Sequence, residues 1–238
     1  MSLSVFADMT ARLQAGKQQR FISLSNNGSA SLPTLYYWFD IFAKAIRRKY
    51  GAKHQFLNTD YYKNTAILLD KLDSDGAFFR PDMAIVLIGG TELDGADNRI
   101  MPLETTAANL RTIHRRLGDA GCATVFMTYY LPDPDKVEPG RMSHIRECMD
   151  LVRAAAAETG SGLIDHMSRW EKLREACPQM YHLMMQDPAH VNSSGNLLMA
   201  LDMARYFDAP APIGLSRELD DALAVQELID RLEIQHRI

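Results

Sequence analysis

A carboxylate stands three residues ahead of an imidazole in the run Asp187-Pro-Ala-His190-Val-Asn-Ser-Ser-Gly195, the arrangement in this chain best suited to moving a proton. A carboxylate within reach of one ring nitrogen fixes the tautomer of a histidine base and stabilises its charged form. Asn192 or Ser193 can cap a helix that starts there, so the same run also reads as a capping loop with an incidental histidine. Two further places carry polar groups at the ends of apolar runs. Ile88-Gly-Gly90-Thr-Glu-Leu-Asp94 is either a glycine turn that brings backbone amides to a ligand beside Thr91 and Glu92, or an ordinary strand-to-loop turn. Ser25-Asn-Asn-Gly-Ser-Ala-Ser31 gathers small polar residues that suit a ligand site or a loop.

These residues are positioned by a regular alternation of elements. Short apolar runs at Phe21–Leu24, Gln55–Leu57, Met83–Ile88, Thr124–Thr128 and Gly162–Ile164 read as buried parallel strands. Between and after them, helical periodicity covers Leu35–Tyr50, Thr65–Leu72, Leu103–Ala120, Met142–Thr159 and Ser193–Phe207. Gly51, Gly121 and Gly160 each follow a helix and precede a strand, where a left-handed residue closes the helix. The alternation predicts an α/β fold, a parallel five-stranded sheet covered by helices on both faces. Residues 1–19 are expected to form a helical extension and 20–208 the main domain. Residues 209–238 read as a Pro-rich linker and an amphipathic helix at Leu215–Ile234, which packs on its own domain, on a second copy or on another protein. The polar segment Leu131–Gly140 is expected to be a long surface loop. In open α/β sheets ligands sit beyond the carboxyl ends of the strands, so the residues after Leu24, Leu57, Ile88 and Thr128 matter most.

Composition narrows the partners. A net charge of −4 supplies no basic field for nucleic acid or an anionic membrane, and Arg47, Arg48 and Lys49 read as a solvated helix end. The first twenty residues lack the pattern of an export signal and no run reaches membrane-spanning length, so a cytoplasmic protein with no membrane contact is expected. Three cysteines, Cys122, Cys148 and Cys177, have neither disulfide-framework nor zinc-site spacing and are expected to be reduced and mostly buried, with no cofactor implied. His54, His114, His144, His166, His182 and His236 have no recognisable partner and read as surface or packing residues. Met180, Met184 and Met185 either line an apolar pocket or fill the core.

In chain order these places resemble the SGNH hydrolase (GDSL) family over roughly residues 20–207. The family's blocks are a Gly-Asp-Ser turn after strand one, a glycine after strand two, Gly-x-Asn-Asp after strand three and Asp-x-x-His near the end. The resemblance implies a flavodoxin-like three-layer α/β/α sandwich, a serine nucleophile and hydrolysis of a small acylated substrate. It is strongest in PDMAIVLIGGTELDG with the helix and strand that follow, and next in Asp187–Gly195. In the gapless register Ser25, Asn26 and Asn27 stand for Gly-Asp-Ser, so an amide occupies the nucleophile position, and an amide nitrogen offers no acidic proton for a base to remove. Lys63 falls where the family has its oxyanion-hole glycine, Thr91 replaces the asparagine and Glu92 the aspartate.

Three readings follow. In the first, a two-residue shift brings Ser29 to the turn, and the chain is an esterase or deacylase in which His190 is the base and Asp187 its orienting carboxylate. Asn26, Asn27, Lys63, Gly90, Thr91 and Glu92 then bind substrate or oxyanion, with backbone amides near Ser29 and Lys63 as the oxyanion donors. In the second, the chain is a catalytically inactive member of the fold that binds a small molecule or a protein partner. In the third, His190 works as a base with Asp60 or Glu92 as acid or cation ligand.

Overall fold

The computed structural model describes residues 4–26, 37–59, 62–88, 93–94, 99–210 and 217–235. In chain order its elements begin with helix α1 (Ser4–Gln14), strand β1 (Arg20–Ser25), helix α2 (Trp38–Tyr50), strand β2 (Gln55–Thr59) and helix α3 (Thr65–Lys71). A π turn and a 3-10 turn lead from α3 to β3 (Met83–Leu87), which is followed by a two-residue antiparallel ribbon of β4 (Leu93–Asp94) and β5 (Arg99–Ile100). Helix α4 (Leu103–Asp119), β6 (Ala123–Met127), α5 (Pro139–Thr159) and β7 (Gly162–Ile164) come next. The chain ends in α6 (His166–Ala176), α7 (Pro178–Leu183), α8 (Ser193–Tyr206) and α9 (Arg217–Gln235).

Five strands form one parallel sheet in the order β2-β1-β3-β6-β7, flanked by helices, as the alternation predicts. Every residue of β3 is buried, which explains its uninterrupted apolar sequence. β2 differs from the expectation of a buried strand: it is an outer strand, longer than predicted and only half-buried along its length. Strand order reverses at β1, so the opening between the carboxyl ends of β1 and β3 is the topological switch point. Among the described residues no helix is long and apolar enough to cross a membrane.

The chain divides into two compact units. The first contains the sheet with α1, α3, α4 and α5; α1 and α5 pack on β6 and β7, and α4 packs on α5 and α3. Asn64 caps α3 by accepting from the Ile67 amide at 2.8 Å. The Arg153 guanidinium of α5 grips Asp165 with Nε to Oδ2 at 2.7 Å and Nη2 to Oδ1 at 3.0 Å, and Thr128 also donates to that carboxylate. Gly51, Gly121 and Gly160 all have positive φ, as the helix-closing role requires.

The second unit contains α2 and α6 to α9, with α8 packed against α2 and α9, and α6 against α7 and α9. Its interior holds a charge network. Asp202 of α8 accepts from His166 Nδ1 at 2.8 Å and pairs with Arg169 Nε at 3.1 Å and Arg205 Nε at 2.9 Å. Arg169, buried, reaches on to Glu233 at 2.7 Å and Asp230 at 3.0 Å on α9. Several histidines thus have partners that their sequence positions do not reveal. His166 is fully buried on Asp202, His114 Nδ1 meets Ser161 at 2.8 Å, His54 accepts from the Gln19 amide, and His144 lies 3.5 Å from Cys148 Sγ. Cys122 and Cys148 are buried and Cys177 half-buried, all three free; burial pushes the Cys122 thiol up to about 12.

Candidate active site

The segment between α7 and α8 closes on itself. The Gln186 and Asp187 amides donate to the His190 carbonyl, and a β-bridge pairs Met185 with Val191. Inside this loop the Asp187 carboxylate accepts from three groups. Its Oδ1 takes the Ala189 amide at 2.8 Å and the His190 amide at 2.9 Å, and both oxygens lie within 3.0 Å of His190 Nδ1. Partial burial works against ionisation of Asp187, but the Ala189 amide, the imidazole and the His190 amide outweigh it, holding the carboxyl below the usual carboxylate range. An ionised carboxylate at Nδ1 keeps the ring proton on that nitrogen and leaves Nε2 with a lone pair, the form a general base needs. Both side chains are roughly two-fifths exposed, so the pair faces solvent and is not a core contact.

The cap foreseen at Asn192 or Ser193 is Asn192, whose Oδ1 accepts from the Gly195 amide at 3.0 Å while Nδ2 donates to the Leu183 carbonyl at 2.8 Å. Glycine is required at 195 by contact: an added Cβ would stand 2.4 Å from the Met184 carbonyl and 2.7 Å from Val191 Cβ. Because one neighbour is backbone, the clash is relieved only by moving the turn. Gly195→Ala is therefore expected to destabilise by about 3 kcal/mol, the upper part of the range for overpacking. Urea unfolding checks this, and a loss below about 0.5 kcal/mol, ordinary for a surface change, would contradict the contact.

Sequence reasoning misses the segment that supports this loop from below. The expectation of a surface loop over residues 131–140 holds only for its second half, which is exposed; Leu131 and Asp133 are buried. The Asp133 amide donates to the Pro188 carbonyl at 2.8 Å, and Tyr130 donates to the Ala189 carbonyl at 2.9 Å. Charged composition hides this role: Asp133 is buried because its Oδ1 accepts from the Asp135 amide and Lys136 and His182 lie near Oδ2. A cleft of about 420 Å³ lined by Asp133, Lys136, His182, Met185, Gln186 and Asp187 borders the carboxylate. Met184 fills the core, as one of the two readings expects, while Met185 borders this cleft, whose lining is mostly charged and polar and is not the apolar pocket of the other reading.

In the sheet-bearing unit, the carboxyl edge collects a second set of groups. The Asn26 amide donates to the Leu87 carbonyl at 2.9 Å, carrying the pairing of β1 with β3 one residue past Ser25. Asn26 Nδ2 donates to the Lys63 carbonyl at 3.0 Å, and the Tyr129 hydroxyl donates to the Asn26 carbonyl. Asn26 and Lys63, matched to two different blocks by the sequence, are thus hydrogen-bonded neighbours. Ser25 is buried in the strand. Asn27, Ser29, Asp60, Gly90, Thr91 and Glu92 lie outside the described residues, and so does His236. Among the described residues no three His, Cys, Asp or Glu side chains are grouped to hold a metal ion.

No protein-family model matches the chain, and no curated protein matches it in sequence. Solved structures do match in fold. An acetyl xylan esterase superposes with a TM-score of 0.67 at 12% identity, over 77% of this chain and 97% of its own. A lipase/acylhydrolase from Enterococcus faecalis gives 0.64 at 15% identity, over 83% and 100%. A GDSL-like lipase from Parabacteroides merdae gives 0.63 at 16% identity, over 79% and 94%. The sheet order, the flanking helices and these superpositions establish that the chain has the three-layer α/β fold of the SGNH, or GDSL, hydrolases.

Proposed function

We propose that this protein hydrolyses ester bonds of a small acylated substrate, with His190 as general base, Asp187 as its orienting carboxylate and Ser29 as nucleophile. The observation that carries the reading is the Asp187 carboxylate, gripped by two backbone amides and applied to His190 Nδ1. A capping loop is served by Asn192 and by the two amides on Asp187; the further bond of that carboxylate to a half-exposed imidazole adds nothing to the cap. In the proposed reaction His190 Nε2 takes the proton of Ser29 as its oxygen attacks the ester carbonyl. The same proton then passes to the departing alcohol. Water, deprotonated by the same nitrogen, releases the acid from the acyl-enzyme. Amides near Ser29 and Lys63 are the proposed donors to the oxyanion. The esterase and lipase names of the solved structures with this fold support the same reaction class.

A second reading has its own support. Because the Asn26 amide still pairs with Leu87 just past the end of β1, the gapless register, which sets the amide of Asn27 at the family's serine position, keeps its support. That favours a binding protein for a small acylated ligand built on a hydrolase fold. Turnover of short and medium p-nitrophenyl esters by the wild type and Ser29→Ala separates the two. Hydrolysis at least a thousandfold slower in Ser29→Ala, roughly the loss of a nucleophile, is the expected result. Equal turnover in both would remove Ser29 from the mechanism, and none in either would leave the binding reading.

A further inference from the structure

Tyr130 lies just past the end of β6, buried, and nothing in the family resemblance gives it a role. Its hydroxyl donates to the Ala189 carbonyl at 2.9 Å, and the nearby Val191 amide favours its ionised form against the effect of burial. These are the residues on either side of His190. One buried oxygen therefore holds the peptide that leads into the imidazole. The phenol is itself held: its ring lies 5.5 Å from Trp170, which meets Tyr181 edge-on, and the Tyr181 hydroxyl donates to the Leu131 carbonyl at 3.0 Å. The support runs from an aromatic stack on α6 and α7 through one hydroxyl to the peptide unit that leads into His190.

We propose that Tyr130 is a positioning residue for His190: by binding the carbonyl of 189 from a buried, aromatic-held ring it fixes the backbone so that Nδ1 stays on Asp187 and Nε2 faces outward. The kinetic consequence rests on the ester-hydrolase reading; the consequence for the imidazole does not. Tyr129, the preceding residue and the last of its stretch of the first unit, binds the Asn26 carbonyl of that same unit in the same manner, hydroxyl to backbone. Consecutive tyrosines thus each secure a main-chain carbonyl in a different functional segment.

The substitution that isolates the hydroxyl is Tyr130→Phe, which keeps the ring on Trp170 and leaves the Ala189 carbonyl without that donor. Nitrogen NMR of ring-labelled histidine, with the His190 signals identified by their absence in His190→Ala, reports which ring nitrogen carries the proton. The wild type should hold the proton on Nδ1, and Tyr130→Phe should show a clear rise in the Nε2-protonated form. If the wild type hydrolyses p-nitrophenyl esters, kcat should fall by roughly tenfold to a hundredfold in Tyr130→Phe with KM changed less than about twofold, the cost of a misplaced base. Val152→Ala, a cavity in α5 of the other unit, lowers thermal stability and should leave the His190 signals as in the wild type. A tautomer balance in Tyr130→Phe equal to that of the wild type overturns the proposal whatever the ester assay gives. Absence of turnover in the wild type overturns the hydrolase reading alone. If Tyr130→Phe does not fold, exchange of the Tyr130 hydroxyl proton in the wild type decides instead: a proton protected from solvent is expected, and one that exchanges like a free phenol overturns the proposal.

Discussion

Replacing His190 by alanine should lower ester turnover by roughly ten-thousandfold or more, because the nucleophile loses the group that removes its proton and the leaving alcohol loses its proton donor. The fold should survive. His190 is half-exposed, and the loop's own closures, from Gln186 and Asp187 amides to the residue 190 carbonyl, involve main chain only. Asp187→Ala is expected to be less severe in turnover and worse for the loop, since the carboxylate also accepts two amides. Residues that act as one unit give non-additive losses, so the double substitution should be no slower than His190→Ala alone. Rates for the four proteins, taken with their unfolding midpoints, check this. If the losses multiplied instead, the two residues would be acting independently and the dyad would be abandoned.

Asp202→Ala is expected to cost about 3 to 5 kcal/mol of stability, the usual penalty for removing one partner from a buried charge network. It leaves His166, fully buried, and Arg169, nearly so, facing the space the carboxylate occupied. Arg169 would keep Asp230 and Glu233. His166 would not keep its Nδ1 acceptor. The pH dependence carries a sign that can be checked. Burial alone would raise the Asp202 carboxyl, but the His166 hydrogen bond and the charges of His166, Arg169 and Arg205 outweigh it and hold the group below its ordinary value. The unfolded chain therefore binds this proton more readily than the folded one. The contribution is complete above the unfolded carboxyl value of about 3.9 and is lost as pH falls through the folded one. Wild-type stability should fall more steeply than that of Asp202→Ala in acid, and the two curves should run parallel near neutrality. Parallel curves throughout would mean that folding does not shift the Asp202 carboxyl.

The parts of the fold that are legible in the sequence are those where burial and apolarity coincide. β3 is continuous in apolar residues because both its faces are covered, and α8 falls within a residue of its predicted span because Asn192 caps it and its length is buried. Helices α6 and α7 escape notice for the opposite reason. In α6 the inward positions include His166 and Arg169, polar residues that are inside because Asp202, Asp230 and Glu233 await them, so the apolar stripe is interrupted where the helix is most deeply packed. Tyr130 and Asp133 are hidden in the same way, by partners more than fifty residues away in the chain. Of the site, Asp187 and His190 are readable because their partners are local.

The two outer strands of the sheet bear on how the protein behaves when crowded. β2 is half-exposed and carries Gln55, Asn58 and Thr59, while β7 is three residues long. Neither offers the long, flat, apolar margin along which a foreign strand adds most readily, and such margins are where ordered aggregates begin. Self-association at high concentration should therefore be governed by side chains standing clear of the surface, such as Phe78 and Ile100, and should leave the parallel sheet intact.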